Sequence, residues 1–186
     1  MDFFNKSEQS ILLNAENIIV GFSGGVDSTL VLAATNQFLE AHNKKNCLTA
    51  LHVNHQTQSD SSSWQIHCEK FCKEHNINFS CKSVEIKESG QGYEAAARSA
   101  RLDIFNSFDE ATVIILGHHL DDQVETVFFR VLRGTGLKGL TGMQRHLKIK
   151  DKDFIRPLLH LTKEEIFKQA TAVSYTHLTL PTSNGV

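Results

Sequence analysis

No stretch of this 186-residue chain approaches the roughly 20 consecutive apolar residues of a membrane-spanning helix. Its first residues, Met1-Asp2-Phe3-Phe4-Asn5-Lys6-Ser7-Glu8, lack the basic segment and long apolar segment of a secretory signal. The expectation is a soluble cytoplasmic protein with no membrane partner. The four cysteines, Cys47, Cys68, Cys72 and Cys81, are too few in a chain this long for a disulfide framework. Cys47 and Cys81 fall in strand-like stretches and read as small buried residues. Cys68 and Cys72, near His75, share one face of an expected helix. They read as a packed helix face or, with ligands from elsewhere, as part of a metal site. An overall positive charge is also missing: the formal net charge is −2, so the chain as a whole is not an obvious nucleic-acid binder. Length points to one domain with a real core, and 40% hydrophobic and 22% charged residues are ordinary globular values.

What is present begins with Ile18-Ile19-Val20-Gly21-Phe22-Ser23-Gly24-Gly25-Val26-Asp27-Ser28. A β-branched apolar run drops into a glycine turn, and Thr29-Leu30-Val31-Leu32-Ala33-Ala34 continues as a helix. Strand, glycine turn and helix N-terminus together make a phosphate cradle. Backbone N–H groups converge on one concavity and the helix dipole adds positive potential. Paired glycines let the backbone approach the anion, and Ser23 and Ser28 add hydroxyl donors. A Walker loop would place a lysine here. This loop has none and carries an acid, Asp27, inside the cradle. A carboxylate beside a polyphosphate repels it unless a cation lies between, so Mg²⁺ bridging Asp27 and phosphate oxygens is the simplest resolution. That suits a pyrophosphate leaving group held while chemistry occurs at the α-phosphorus. The plainer alternative is a glycine turn capped by Asp or Ser with no ligand.

Along the chain, strand and helix patterns alternate. Strands are expected at Ile18–Phe22, Cys47–Val53, Asn78–Val84 and Thr112–Leu116. Helices are expected at Ser28–Ala41, Ser61–His75, Tyr93–Phe108 and Leu120–Leu132. This repetition implies an α/β fold: a parallel twisted sheet with helices on both faces and ligands at the carboxyl ends of the strands. Ser23–Ser28, His52–His55 and Gly117–Asp122 all fall at such ends. A further helix starts at Glu164, and Ala172 to Val186 is an uncharged Thr/Ser-rich stretch that reads as a scar, frameshift or foreign end. The expected division is a domain over 1–172 and an atypical tail over 173–186.

A second constellation, Gly117-His118-His119-Leu120-Asp121-Asp122-Gln123-Val124-Glu125-Thr126, follows a buried strand and opens a helix. If that helix has begun by His118, then His118, Asp122 and Glu125 share one face and form an acidic pocket for a metal or a substrate ammonium. Asp121 and Asp122 also suit helix capping, which accounts for one of them rather than the set. Arg98 and Arg101 share a helix side, as carboxylate or phosphate ligands or as ordinary surface partners, for example Arg98 with Glu94. Between Arg130 and Lys150 the charged residues Arg130, Arg133, Lys138, Arg145, Lys148 and Lys150 are interleaved with Gly134, Gly136, Gly139 and Gly142, and no acid interrupts them. Such a segment can meet a phosphate backbone closely, or be a solvated loop and helix end.

Together these residues resemble the PP-loop ATP pyrophosphatases, and within them the tRNA(Ile)-lysidine synthases. The resemblance covers Ile18 to Phe167. It runs through Ser-Gly-Gly-Val-Asp-Ser, His52-Val53-Asn54-His55, Trp64 with Cys68, Glu94 with Ala97-Arg98 and Ala100-Arg101, and the His118 to Thr126 run. It ends with Arg130 to Leu140 and Arg156-Pro157-Leu158-Leu159. It implies an adenine nucleotide alpha-hydrolase-like fold and a ligase reaction. ATP adenylates the C2 oxygen of the wobble cytidine of an isoleucine tRNA, pyrophosphate leaves, and the ε-amine of free lysine displaces AMP. It implies ATP held by Ser23, Gly24, Gly25, Val26, Asp27 and Ser28, with Mg²⁺ on Asp27. Lysine would lie against Arg98, His118, Asp122 and Glu125, and tRNA against Arg133 and Lys138. Asp27, His118, Asp122 and Glu125 are the residues on which catalysis is implied to rest. A homodimer is compatible with it. Two departures stand out: Gln56 occupies a usual glycine position, and the family's later Asp/Asn and Arg-rich motif and tRNA-grasping domains do not follow Phe167. A thiolating PP-loop enzyme, an amide-forming ligase of the same loop class and an ATP-binding fragment without tRNA-modifying activity are the competing expectations.

Overall fold

The computed structural model describes residues 3–54, 61–84, 93–109, 111–136 and 141–172. Six strands form one sheet: β1 (Asn17–Gly21), β2 (Leu48–Asn54), β3 (Asn78–Ser83), β4 (Thr112–Ile115), β5 (His146–Ile149) and β6 (Lys152–Ile155), in the order β3-β2-β1-β4-β6-β5. All neighbours are parallel except β5, which pairs antiparallel with β6 at the edge. The helices are α1 (Lys6–Asn14), α2 (Val26–Ala41), α3 (Ser61–Glu74), α4 (Tyr93–Asn106), α5 (Leu120–Leu132) and α6 (Lys163–Ala172), with a 3₁₀ turn at Lys45–Cys47.

The central strands are apolar runs because both of their faces are covered. β4, Thr-Val-Ile-Ile, is buried along its whole length. Alternation then divides the core between two layers. Ile18, Val20, Ala50, Val113 and Ile115 pack with Leu12 of α1, Leu30, Val31 and Leu39 of α2, Cys68 and Cys72 of α3, and Ile166 of α6. Ile19, Leu51, Ile114 and Phe154 pack on the opposite face with Phe105 of α4. The expected parallel sheet with helices on both faces is the fold observed, with most element ends within two residues of expectation. β5 and β6 were not expected from sequence. They are four residues each and carry Lys148 and Lys152. Lys152 is nonetheless buried, its ammonium donating to the Asn106 carbonyl (3.1 Å).

α5 is the exception to two-sided cover. Among the described residues it contributes to neither core cluster, and Val124, Phe128, Phe129, Val131 and Leu132 are each more than half exposed. No described helix is long and apolar enough to cross a membrane. The 173–186 tail lies outside the described residues.

The amino-terminal segment is fastened by a buried ion pair. Asn5 caps α1 in a capping box with Glu8: each side chain accepts from the other's backbone N–H at 2.9 Å. Glu8 is fully buried and meets Arg145 in a two-point contact, Nε to Oε1 at 2.7 Å and Nη2 to Oε2 at 3.0 Å. Arg145 also donates to the carbonyls of Phe3 (2.7 Å) and Pro157 (2.9 Å), joining three distant chain segments. The cationic run from Arg130 to Lys150 is therefore not a uniform solvated surface: Arg145 is half-buried and committed to the buried Glu8. Arg145→Met leaves the Glu8 charge buried without its partner. A loss of about 3 kcal/mol in urea unfolding is expected, and Glu8→Gln in the same chain should recover part of it.

Candidate functional site

β1 is the strand at which the sheet changes direction: β2 pairs on one side of it and β4 on the other. In parallel sheets a crevice opens at the carboxyl end of such a pair of strands. Val20 is in register with Ile115, so the turn after β1 and the turn after β4 emerge side by side. They touch through Gly117. A Cβ there would lie 3.2 Å from the backbone carbon and oxygen of Asp27 and from the Ser28 nitrogen.

The loop after β1 is braced from within. Ser28 Oγ donates to the Gly25 carbonyl (3.0 Å) and accepts from Ser23 N–H (3.2 Å), and the two serine hydroxyl oxygens are 3.0 Å apart. Gly25 N–H reaches Ser23 Oγ (3.3 Å), and Thr29 Oγ1 donates to the Gly25 carbonyl (2.9 Å). Ser28 is buried and Ser23 exposed. Ser28 thus braces the loop, and Ser23 is the hydroxyl at the open side. The first helical N–H to bond within α2 is that of Thr29, to Gly25 O (3.0 Å); those of Val26, Asp27 and Ser28 precede it and point out of the helix end. Gly24 takes φ +85°, and a Cβ on it would lie 3.0 Å from Cys68 Sγ and 3.2 Å from the Trp64 ring. The loop therefore rests on the side of α3. His52 of β2 closes the floor: its Nδ1 is 2.9 Å from the Phe22 carbonyl and 3.6 Å from Cys68 Sγ.

Asp27 lies in the first turn of α2. Its Oδ1 is buried without a hydrogen-bond partner, and its Oδ2 faces His119 Nε2 at 3.9 Å. Burial pushes its carboxyl above the ordinary carboxylate range. His119 and Lys163 pull it back, and Asp122 adds to the rise. A desolvated carboxylate oxygen with no donor is a fit for a cation. Among the described residues no group of three or more His, Cys, Asp and Glu could hold a metal by itself. A single such carboxylate matches the way Mg²⁺ is commonly bound, through one or two carboxylates with phosphate oxygens and water.

The helix spans Leu120–Leu132 as expected, so the condition under which His118 would share a face with Asp122 and Glu125 is not met. α5 starts at Leu120 and His119 is its N-cap: Nδ1 accepts from Asp121 N–H (3.2 Å), and Asp122 Oδ2 accepts from His119 N–H (2.9 Å). The reciprocal cap starts the helix two residues later than the expected shared face requires. Asp122 and Glu125 are on α5, while His118 precedes it on the link from β4. The imidazole beside Asp27 is that of His119. Sequence reading passed over it because histidine is a poor N-cap and helical spacing favoured His118.

Arg98 lies in α4 on the opposite face of the sheet from α2, and its side chain is outside the described set. Arg133 is the exposed C-cap of α5. Lys138 lies outside the described residues, as does Gln56. The chain after that segment is clipped back onto α5: the Gln123 amide accepts from Met143 N–H (2.5 Å) and donates to Met143 O (2.8 Å), and Arg130 donates to the Thr141 carbonyl. Cys68 and Cys72 are the packed helix face, with burial pushing both thiols up to about 12. Burial thus favours the thiol form of both.

A family model described as the PP-loop domain matches residues 2–183. The chain belongs to the PP-loop family. It is 36% identical over 165 residues to the tRNA(Ile)-lysidine synthase of Francisella philomiragia, covering 87% of this chain and 40% of that protein. To the tRNA(Ile)-lysidine synthase of Legionella pneumophila strain Paris it is 41% identical over 155 residues, covering 81% and 34%. The chain thus spans only 34–40% of the length of these curated relatives. The U34-tRNA thiolase NcsA of Methanococcus maripaludis shares the fold at a TM-score of 0.65 and 18% identity, over 97% of this chain and 67% of that one.

Gly24→Ala combines left-handed backbone with a crowded contact on Cys68. It is expected to lower stability by about 1–2 kcal/mol in thermal melts followed by circular dichroism. A Cys68→Gly background should relieve the contact and not the backbone strain.

Proposed function

We propose that this chain is the nucleotide-handling part of a tRNA(Ile)-lysidine synthase. It would activate the C2 oxygen of a wobble cytidine with ATP and deliver lysine to that carbon, releasing pyrophosphate and AMP. The observation that carries the reading is the partnerless oxygen of Asp27, set in a lysine-free glycine loop and opposed across the switch point by His119 and Asp122. The names of the relatives support the substrate assignment.

The N–H groups at the start of α2, with Gly24, Gly25 and Ser23, would hold the diphosphate of ATP, and Val26 and Ser28 keep that turn in place. Catalysis then rests mainly on donors fixed in advance around the charge that develops at phosphorus. Mg²⁺ on Asp27 would neutralise the departing pyrophosphate. Asp122 and Glu125, one turn apart on α5, give the ammonium of lysine an anionic seat beside His118, and Arg98 would take its carboxylate. Attack on C2 requires the neutral amine, and an acidic seat by itself raises the pKa of an ammonium. That seat therefore positions the nucleophile, and proton removal is a separate event. The tRNA strand would lie against Arg133 and Lys138. The burial of Cys68 and Cys72 in the core weighs against the thiolating alternative.

Burial raises the folded-state pKa of Asp27, so the folded protein holds this proton more tightly than the unfolded chain. Its contribution to stability is greatest at low pH and falls as pH rises beyond the ordinary carboxylate value. Asp27→Asn is therefore expected to melt at or above the wild-type temperature at pH 7 while abolishing pyrophosphate release. The assay supplies ATP, Mg²⁺, lysine and an isoleucine tRNA transcript with a wobble cytidine. Release of pyrophosphate that requires the tRNA, followed by release of AMP that requires lysine, carries the proposal. ATP binding without turnover would assign this chain nucleotide binding alone, and full activity in Asp27→Asn would remove the metal role.

A further inference from the structure

Building on the proposed ATP reaction, we infer that His119 is a positioning residue: its imidazole ring sets the spacing between Asp27 and Asp122, and thereby the magnesium dependence of nucleotide binding. The ring is largely buried and lies among carboxylates from two chain segments. Its Nε2 is 3.9 Å from Asp27 Oδ2 and 3.7 Å from Asp122 Oδ2. Its Nδ1 is fixed by the Asp121 N–H at 3.2 Å, which requires a lone pair there and leaves the ring proton on Nε2. That proton points into the gap between the two acids.

Capping does not explain this arrangement. A serine or asparagine would satisfy the Asp121 N–H at least as well as histidine, and both are preferred N-caps. What they lack is reach. The distance across an imidazole lets one residue cap α5 with its near nitrogen and face the nucleotide loop with its far one. The backbone of His119 adds the second constraint, since its N–H holds Asp122 Oδ2 at 2.9 Å. Ring and backbone together fix where Asp122 stands and which way Asp27 Oδ2 is turned. The distances from Nε2 exceed those of a direct hydrogen bond, so the ring acts as an oriented dipole and a spacer. Without it two carboxylates would confront each other across the crevice in a partly buried setting, where like charges repel strongly. Groups that orient a metal-binding carboxylate typically alter metal affinity without ligating the metal themselves.

The test is calorimetric titration of ATP into the purified chain, with Mg²⁺ or with EDTA, for the wild type, His119→Asn and His119→Ser. Both substitutions keep an N-cap and remove the reach to Asp27, and two are used so that a folding failure in one leaves the other. The expected result is a melting temperature within a few degrees of wild type and an EDTA affinity changed less than about twofold. The gain in affinity on adding Mg²⁺ should fall by about tenfold, the lower end of the range for such supporting groups. A Mg²⁺ gain equal to wild type in either folded variant overturns the inference and reduces His119 to a cap. Equal losses with Mg²⁺ and with EDTA overturn it too, since a general disturbance of the loop moves both. If the wild type itself binds no ATP, the functional reading fails first and this inference falls with it; an ATP-binding wild type with unaltered variants sinks the inference alone.

Discussion

The site exists because a side chain is missing at Gly117. The turn after β4 lies so close to the first turn of α2 that a single methyl group would stand 3.2 Å from the main chain of Asp27 and Ser28. The neighbours there are backbone, with no flexible end to give way, so relief would require the main chain to shift by a few tenths of an ångström. Parallel pairing of β1 with β4 brings the two turns to the same end of the sheet, and the glycine lets them meet. Two motifs about ninety residues apart thereby share one crevice. The desolvation of Asp27, its approach to His119 and the nearness of Asp122 all follow from that contact.

The loop beneath is rigid for reasons that have little to do with its ligand. Ser28, Ser23, Thr29 and Gly25 satisfy one another, and Gly24 is pressed onto Trp64 and Cys68 of α3. A loop already held in shape loses little conformational freedom when an anion arrives. The helix end is therefore preorganised. Besides its outward-pointing N–H groups, what is left without a partner in it is the buried Oδ1 of Asp27.

Where periodicity is long and partners are local, the sequence was readable. The strand–helix alternation, the span of α5 and the cradle after β1 could all be read from residue order. Reading failed where one residue's role depends on a distant one. β5 and β6 are four residues each, and lysines within them obscure the strand pattern. The burial of Lys152 depends on a carbonyl from the end of α4. Arg145 looked like one of a run of surface cations because its partner, Glu8, is 137 positions away. At α5 the rules conflicted: helical spacing joined His118 to Asp122 and Glu125, while the adjacent pair His119 and Asp122 formed a reciprocal cap that put His118 outside. A histidine N-cap is uncommon enough that propensity alone pointed the wrong way.

That conflict also indicates where to look for function, since natural sequences break local rules chiefly at functional or strained sites. An acid in the first turn of a helix is ordinary, because it complements the helix dipole. An acid there with one oxygen buried and undonated is not, because the same dipole and N–H groups are what a phosphate would use. Carboxylate and phosphate compete for one positive end. Two charge arrangements relieve that competition. One places a lysine in the loop and dispenses with the acid; the other keeps the acid and admits a divalent cation between it and the phosphate. On the proposed reading Asp27 follows the second, and the fold sets an imidazole nitrogen of His119 on its far side, 3.9 Å from Oδ2. A fixed cation in that position would pair with the carboxylate and satisfy it permanently. An imidazole nitrogen at 3.9 Å faces the carboxylate without hydrogen-bonding it, which would leave its charge available to a metal arriving with the nucleotide.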